Sequence, residues 1–260
     1  MKIAFIGAGN MGEAILAGLY RKNVCIVCEA RPERRTYLKK KYRCAVTAVA
    51  GDAVTGADVV LLAVKPQDLP AVLESIRPAV KKQLFISIAA GITSGFIENT
   101  LGGKTRVVRT MPNLPAMIGE GVTALAKGRH ARPGDLKTAQ GVLAAVGSVI
   151  VVPEKMINAV TAVSGSGPAY MFLVVECLMG AARKLGFSEG EAKTLVYQTM
   201  LGSVHMLAKS DDSAAVLRQK VTSKGGTTQA ATDVFMEEDI SGIFEAALKA
   251  ACARAKELAK

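Results

Sequence analysis

Between Val221 and Thr228 the chain reads VTSKGGTT, two adjacent glycines set among hydroxyl side chains. Glycine lets backbone come close to a ligand, and the first N–H groups of a helix have no partner in a preceding turn. If a helix opens here, Ser223, Gly225, Gly226, Thr227 and Thr228 form a receptor suited to a small carboxylate. The same letters also suit a glycine turn followed by a threonine helix cap, which requires no ligand.

A second constellation lies at the other end of the chain. Gly7-Ala8-Gly9-Asn10-Met11-Gly12 follows an apolar run ending at Ile6 and precedes a helical pattern, the setting in which GxGxxG binds a dinucleotide. Gly7 permits the tight turn, Gly9 admits a pyrophosphate to the helix start, and Gly12 allows close helix packing. Glu29 ends the second apolar run, where a carboxylate accepts hydrogen bonds from the adenosine ribose of NADH. Arg31, Arg34 and Arg35 follow and suit the 2'-phosphate of NADPH, which Glu29 would oppose unless it turned away or paired with an arginine. The balance leans to NADPH, with NADH as the alternative. Ala63-Val64-Lys65-Pro66 and Ala89-Ala90-Gly91 close the third and fourth runs, where an open α/β sheet presents ligand-binding edges. They are expected beside the nicotinamide and its ribose, with Lys65 as a cofactor contact. Asn113 is a further cofactor contact or an Asx turn between prolines.

The elements that must position these residues follow from periodicity. Through residue 153, short β-branched runs alternate with helical stretches, predicting a parallel sheet covered on both faces. Later strands are predicted at 106–109, 122–126 and 148–152, with a helix over 133–146. Beyond Pro153, Ala-, Leu- and Met-rich stretches predict helices over 156–185 (broken near 165–168), 188–210, 213–219, 227–237 and 240–258. The fold expected is an α/β Rossmann-type dinucleotide-binding domain, 1–153, followed by an all-α dimerisation and substrate-binding domain, 154–260. Helices this apolar expose faces that one copy of the domain cannot bury, which points to a homodimer or higher homo-oligomer.

Charge and composition narrow the classes. Thirty-three Lys and Arg against 22 Asp and Glu leave +11 over 260 residues, favouring anionic ligands. The basic residues lack the aromatic platforms of a nucleic-acid surface, so no nucleic-acid partner is expected. No signal-peptide pattern opens the chain, and Ala159 to Gly180, the most apolar stretch, carries Ser164, Ser166, Pro168 and Glu176. It reads as a buried helix, with no membrane association and a cytoplasmic location. The five cysteines read as reduced thiols: Cys25 and Cys28 would point to opposite faces of one strand, and Cys44, Cys177 and Cys252 as small core residues. Neither His130 nor His205 stands near a carboxylate or nucleophile motif, and no metal site is expected.

The segment LRQKVTSKGGTTQAATDVF resembles the signature of the pyrroline-5-carboxylate reductase family, and AVKP, SIAAG, Met111-Pro112-Asn113 and Ser164 to Tyr170 resemble further family hallmarks. The resemblance implies NAD(P)H-dependent reduction of 1-pyrroline-5-carboxylate to L-proline. It implies that Ser223, Gly226 and Thr227 hold the substrate carboxylate while the Thr228 hydroxyl contacts the ring nitrogen as the catalytic residue. Lys224 stands where many relatives have proline. An intertwined dimer, further assembled into a ring, is also implied. Two alternatives stand beside this: a 3-hydroxyacid or 6-phosphogluconate-type dehydrogenase, which would need a catalytic lysine in the second domain, and a non-catalytic nucleotide-sensing scaffold.

Overall fold

The structure is a computed structural model and describes residues 1–259. The chain divides into two compact units: Met1–Pro168 together with the chain from Ala251 on, and Ala169–Ala250.

The first unit is built on an eight-stranded sheet ordered β3-β2-β1-β4-β5-β6-β7-β8. The strands are β1 (Lys2–Ile6), β2 (Val24–Cys28), β3 (Ala45–Thr47), β4 (Val59–Leu62), β5 (Leu84–Ser87), β6 (Arg106–Met111), β7 (Gly121–Lys127) and β8 (Gly147–Val151). Between them lie α1 (Asn10–Leu19), α2 (Pro32–Tyr42), α3 (Ala50–Val54), α4 (Leu69–Ile76), α5 (Ser94–Leu101) and α6 (Pro133–Leu143). The apolar runs are long because their strands are buried on both faces. Ile3, Phe5 and Val27 pack into one hydrophobic layer, Ala4, Ile6, Val60 and Leu62 into the other. Cys25 joins the first layer and Cys28 the second, so the two thiols point apart. Burial pushes the Cys25 thiol up to about 11 and raises Cys28 as well, which leaves both un-ionised at neutral pH.

Two expectations about this sheet need correction. It is not wholly parallel: β7 runs antiparallel to β6 and β8 is parallel to β7. A β6-to-β7 connection of nine residues is too short for a parallel crossover and can only return antiparallel. The helix expected to reach residue 146 stops at Leu143 and continues as a 3₁₀ turn over Ala144–Val146.

The chain then enters α7 (Ile157–Val160), whose ladder widens into a π-helical turn over Thr161–Gly165 before α8 (Gly167–Lys184). The break expected near residues 165–168 is thus a change of hydrogen-bond register. The helical unit continues with α9 (Glu189–Lys209), α10 (Ala214–Lys220), α11 (Thr227–Glu237) and α12 (Ile240–Glu257). A serine opens α9 and another opens α10, each accepting a backbone N–H at its cap. No residue of α8 is buried within this chain, and Phe172, Leu173 and Leu178 are exposed. This corrects the expected buried helix and places Cys177 at the surface of the single chain. The span Glu154–Lys184 is long and apolar enough to cross a membrane by length and composition.

Candidate active site

The order of the sheet opens a crevice between β1 and β4, from which the chain leaves in opposite directions. Gly7 follows β1 with φ of 90°, and its N–H donates to the Cys28 carbonyl at 2.9 Å. A Cβ on Gly7 would stand 2.8 Å from the Ala63 carbonyl oxygen and 2.9 Å from Val64 Cγ1. On Gly12 it would stand 2.9 Å from the Gly7 oxygen. Gly7 thus serves the tight turn through its positive φ and Gly12 the close packing of helix on strand, with no room for a side chain at either. Gly9 differs. It caps α1 with no side-chain hydrogen bond, and a Cβ there would meet nothing within 4 Å. The open space lies at the start of α1, where unpartnered N–H groups and the helix dipole favour a phosphate, so the donors present fit a dinucleotide.

A cleft of about 750 Å³ joins Ile6, Gly7, Ala8 and Gly9 to Glu29 and Arg31, and to Ala63, Val64 and Lys65 across the sheet. Asn10, Met11 and Gly12 form the first turn of α1 beside it. Pro66, Ala90 and Gly91 line a separate hollow of about 360 Å³ together with Asn158 and Thr161. Ala89 is buried, and Gly91 takes φ of 73°. Ala48, Val49 and Asp68 also line the cleft. Sequence reasoning missed Ala48 and Val49 because β3, a three-residue edge strand, has no alternating pattern long enough to recognise, and Asp68 because it stands in the short turn that leads from β4 into α4.

The three arginines after β2 are all engaged. Arg31 Nε donates to Glu29 Oε1 at 3.0 Å, and its N–H to the same oxygen at 3.2 Å. Arg34 does not line the cleft; it donates to the Ala8 carbonyl at 3.0 Å and pairs with Glu13. Arg35 Nη1 donates to the carbonyls of Glu29 and Ala30 at 2.7 and 2.6 Å. Asn113 Oδ1 accepts the Val122 N–H at 2.9 Å, tying β7 to the loop after β6. Another unforeseen residue is Arg109, buried in β6 and paired at 3.4 Å with Glu154, whose carboxylate also accepts the Ser94 N–H. Burial lowers the Arg109 pKa against the opposing pull of Glu154.

Glu13 anchors α2 to α1. Its carboxylate takes Arg34, Lys41 at 2.9 Å, Tyr37 at 3.0 Å and Tyr42 at 2.7 Å. Burial pushes this carboxyl up, and the four donors overcome that and bring it down to about 2. A folded-state pKa below the unfolded 4.5 means that the contribution is complete above about pH 5 and disappears as pH falls through about 2. Glu13→Gln is expected to cost about 1–3 kcal/mol at pH 7. Urea unfolding at pH 7 and pH 3 should show this gap narrowing at the lower pH, and an unchanged gap would contradict the assignment.

In the helical unit the chain leaves α10 through a turn at Val221, and the Thr222 hydroxyl donates to the Arg218 carbonyl at 2.7 Å. Gly225, at φ of 71°, donates its N–H to Gln229 Oε1 at 2.7 Å. Gly226 donates to the Ser223 carbonyl at 3.0 Å and caps α11. The cap is thus glycine and no side chain closes the helix end, which overturns the threonine-cap alternative. A Cβ on Gly226 would collide with Ser223 Oγ, so glycine is what lets this hydroxyl lie over the helix start. Ser223 and Thr227 are exposed and Thr228 is half-buried. Between Ser223 and Thr228 lies a compact arc of hydroxyls and N–H groups with no acidic side chain in it. Lys224 is exposed on the same turn.

Residues 154–258 match the family model described as pyrroline-5-carboxylate reductase dimerisation. The chain is 41% identical to the pyrroline-5-carboxylate reductase of Mycobacterium tuberculosis, over 99% of this chain and 96% of that one. The chain belongs to the pyrroline-5-carboxylate reductase family. Residues 2–91 also match a model described as NADP oxidoreductase, coenzyme F420-dependent. Two solved members of the reductase family have the same fold. The Coxiella burnetii structure superposes with a TM-score of 0.94 at 39% identity, covering 99% of this chain and 98% of that one. The Plasmodium falciparum structure, which has NADP bound, gives 0.88 at 29% identity and covers 100% and 98%. The Rossmann-type sheet followed by a helical region is accordingly the family's architecture.

Proposed function

We infer that this protein is a pyrroline-5-carboxylate reductase, reducing 1-pyrroline-5-carboxylate to L-proline with NAD(P)H, the last step of proline biosynthesis. Family membership over the full chain carries the reading, because it joins the nucleotide crevice and the VTSKGGTT arc in one protein. The nicotinamide, when bound, supplies a hydride to the imine carbon. The protonated imine is already electrophilic, so the residues need to orient and stabilise more than to move protons. Ser223, Gly225, Gly226 and Thr227 receive the carboxylate, and the Thr228 hydroxyl hydrogen-bonds the ring nitrogen. Gly225 and Gly226 act through their missing side chains, since their N–H groups are taken by Gln229 and Ser223. Lys65 and the residues from Gly7 to Gly12 serve the cofactor, with Ala89 to Gly91 and Asn113 at its nicotinamide end.

The substrate is a small molecule and the protein a homo-oligomer, built through the family's dimerisation region. The smallest unit is a dimer. What supports the dimer is α8, whose exposed Phe172, Leu173 and Leu178 need cover that this chain does not provide. A second copy, rather than a membrane, supplies that cover, and the protein works in the cytoplasm without nucleic acid. The boundary between nucleotide-binding and dimerisation domains falls at 153/154, just before Glu154.

The test is the initial rate of NADPH and NADH oxidation with 1-pyrroline-5-carboxylate, with proline identified as product. Cofactor that binds without being oxidised would overturn the reading in favour of a sensing scaffold. Oxidation of a 3-hydroxyacid with NAD(P) would favour the dehydrogenase.

A further inference from the structure

Glu29 lies in the nucleotide cleft with 7% of its surface exposed. Burial works against its charge, while the side chain and N–H of Arg31 and the Ala8 amide outweigh that and hold its carboxyl below the ordinary range. The carboxylate is therefore ionised at neutral pH. Its Oε1 takes both short bonds from Arg31, and Arg31 Nη2 stands 3.4 Å from its Oε2. An ionised carboxylate only accepts hydrogen bonds, so Oε2 retains capacity for a hydroxyl donor.

A 2'-phosphate brings close to two negative charges to the same place. Of the cations that could receive it, Arg34 is committed to Glu13 and the Ala8 carbonyl, and Arg35 to two carbonyls. Arg31, on the cleft wall, already neutralises Glu29. Turning Arg31 onto the phosphate would strip a nearly buried carboxylate of its partner and leave it facing a like charge. A ribose diol needs no such exchange.

We propose that Glu29, held by Arg31, makes NADH the more tightly bound of the two nicotinamide cofactors by accepting the adenosine ribose hydroxyls where a 2'-phosphate would be repelled. This rests on the crevice being the nucleotide site and refines the reductase reading to a cofactor preference. NADPH binds in the same place, more weakly.

The experiment is the dissociation constant of each cofactor, by calorimetry or nucleotide fluorescence, for the wild type, Glu29→Ser and Glu29→Gln. The wild type should bind NADH roughly tenfold or more tightly than NADPH, the scale of a charge-assisted hydrogen bond gained or a like charge avoided. Both variants should move the ratio toward NADPH by about tenfold, with Glu29→Gln preserving shape should the serine variant fold poorly. Wild-type protein that binds NADPH as tightly as NADH, or variants that leave the ratio unmoved, would overturn the preference while leaving the reductase standing. Binding of neither cofactor would overturn both. Since binding needs no imine, a failed reduction assay does not bear on this result.

Discussion

Thr228→Ala is expected to lower turnover by about two orders of magnitude, with the dissociation constants of both cofactors unchanged. Thr228 is the second residue of α11, half-buried, two residues beyond the glycine cap. Its carbonyl already accepts the Thr232 hydroxyl at 3.0 Å, an ordinary helical back-bond. The hydroxyl of Thr228 itself closes no cap, so its loss leaves the helix end as it was. A hydrogen bond to the ring nitrogen that tightens as hydride arrives affects the transition state more than the bound substrate. The expected signature is a large fall in kcat with a small change in KM for the imine. Thr228→Ser should restore most of the rate, because the hydroxyl returns on the same turn. An alanine variant within a fewfold of wild type would remove Thr228 from the chemistry.

How far this site could be read before the fold was known depends on how local its parts are. The GxGxxG turn is local: one strand, one turn and one helix fix it, and Gly7, Gly9 and Gly12 occupy the places their spacing demands. So are the strands β1, β4 and β5, whose β-branched runs record burial on both faces. The engagement of Arg34 is not local, because Glu13 comes from another helix and no spacing rule joins residues 13 and 34. Asn113 has the same history: it is taken by Val122 through the antiparallel turn-back of β7, and apolar pattern does not record strand direction. Cys177 shows a third limit. Helical periodicity marked the α8 face as apolar and could not say that this chain would leave it uncovered.

The arc at Ser223 to Thr228 was legible in composition and undecided in purpose, since the same letters spell a capped helix. The distinction came from a single position. With Gly226 as the cap, the start of α11 has no side chain of its own to satisfy it, while Ser223 is folded over it by the Gly226 N–H. An ordinary side-chain cap consumes an N–H of the helix end; this one makes no side-chain cap hydrogen bond.

The two outer ends of the Gly7-Ala8-Gly9 turn should respond differently to the same added methyl group. At Gly7 an alanine must hold φ near 90° and push against the Ala63 carbonyl and Val64 Cγ1, 2.8 and 2.9 Å away. Strain of that kind costs about 1–3 kcal/mol, and overpacking a similar amount again. Gly7→Ala should therefore lower the melting temperature and cofactor affinity together. At Gly9 the backbone sits at φ of −67°, which alanine adopts freely, and its Cβ meets no atom of the chain within 4 Å. Gly9→Ala should fold with a melting temperature close to that of wild type, yet bind either cofactor about tenfold or more weakly, because the methyl enters space a pyrophosphate must fill. Thermal unfolding with and without NADH separates the two: the Gly9 variant alone keeps its intrinsic stability while losing the rise that ligand gives. A Gly9 variant stabilised by NADH as strongly as wild type would mean that the pyrophosphate lies elsewhere in the cleft, and the fit between α1 and the dinucleotide would fall with it.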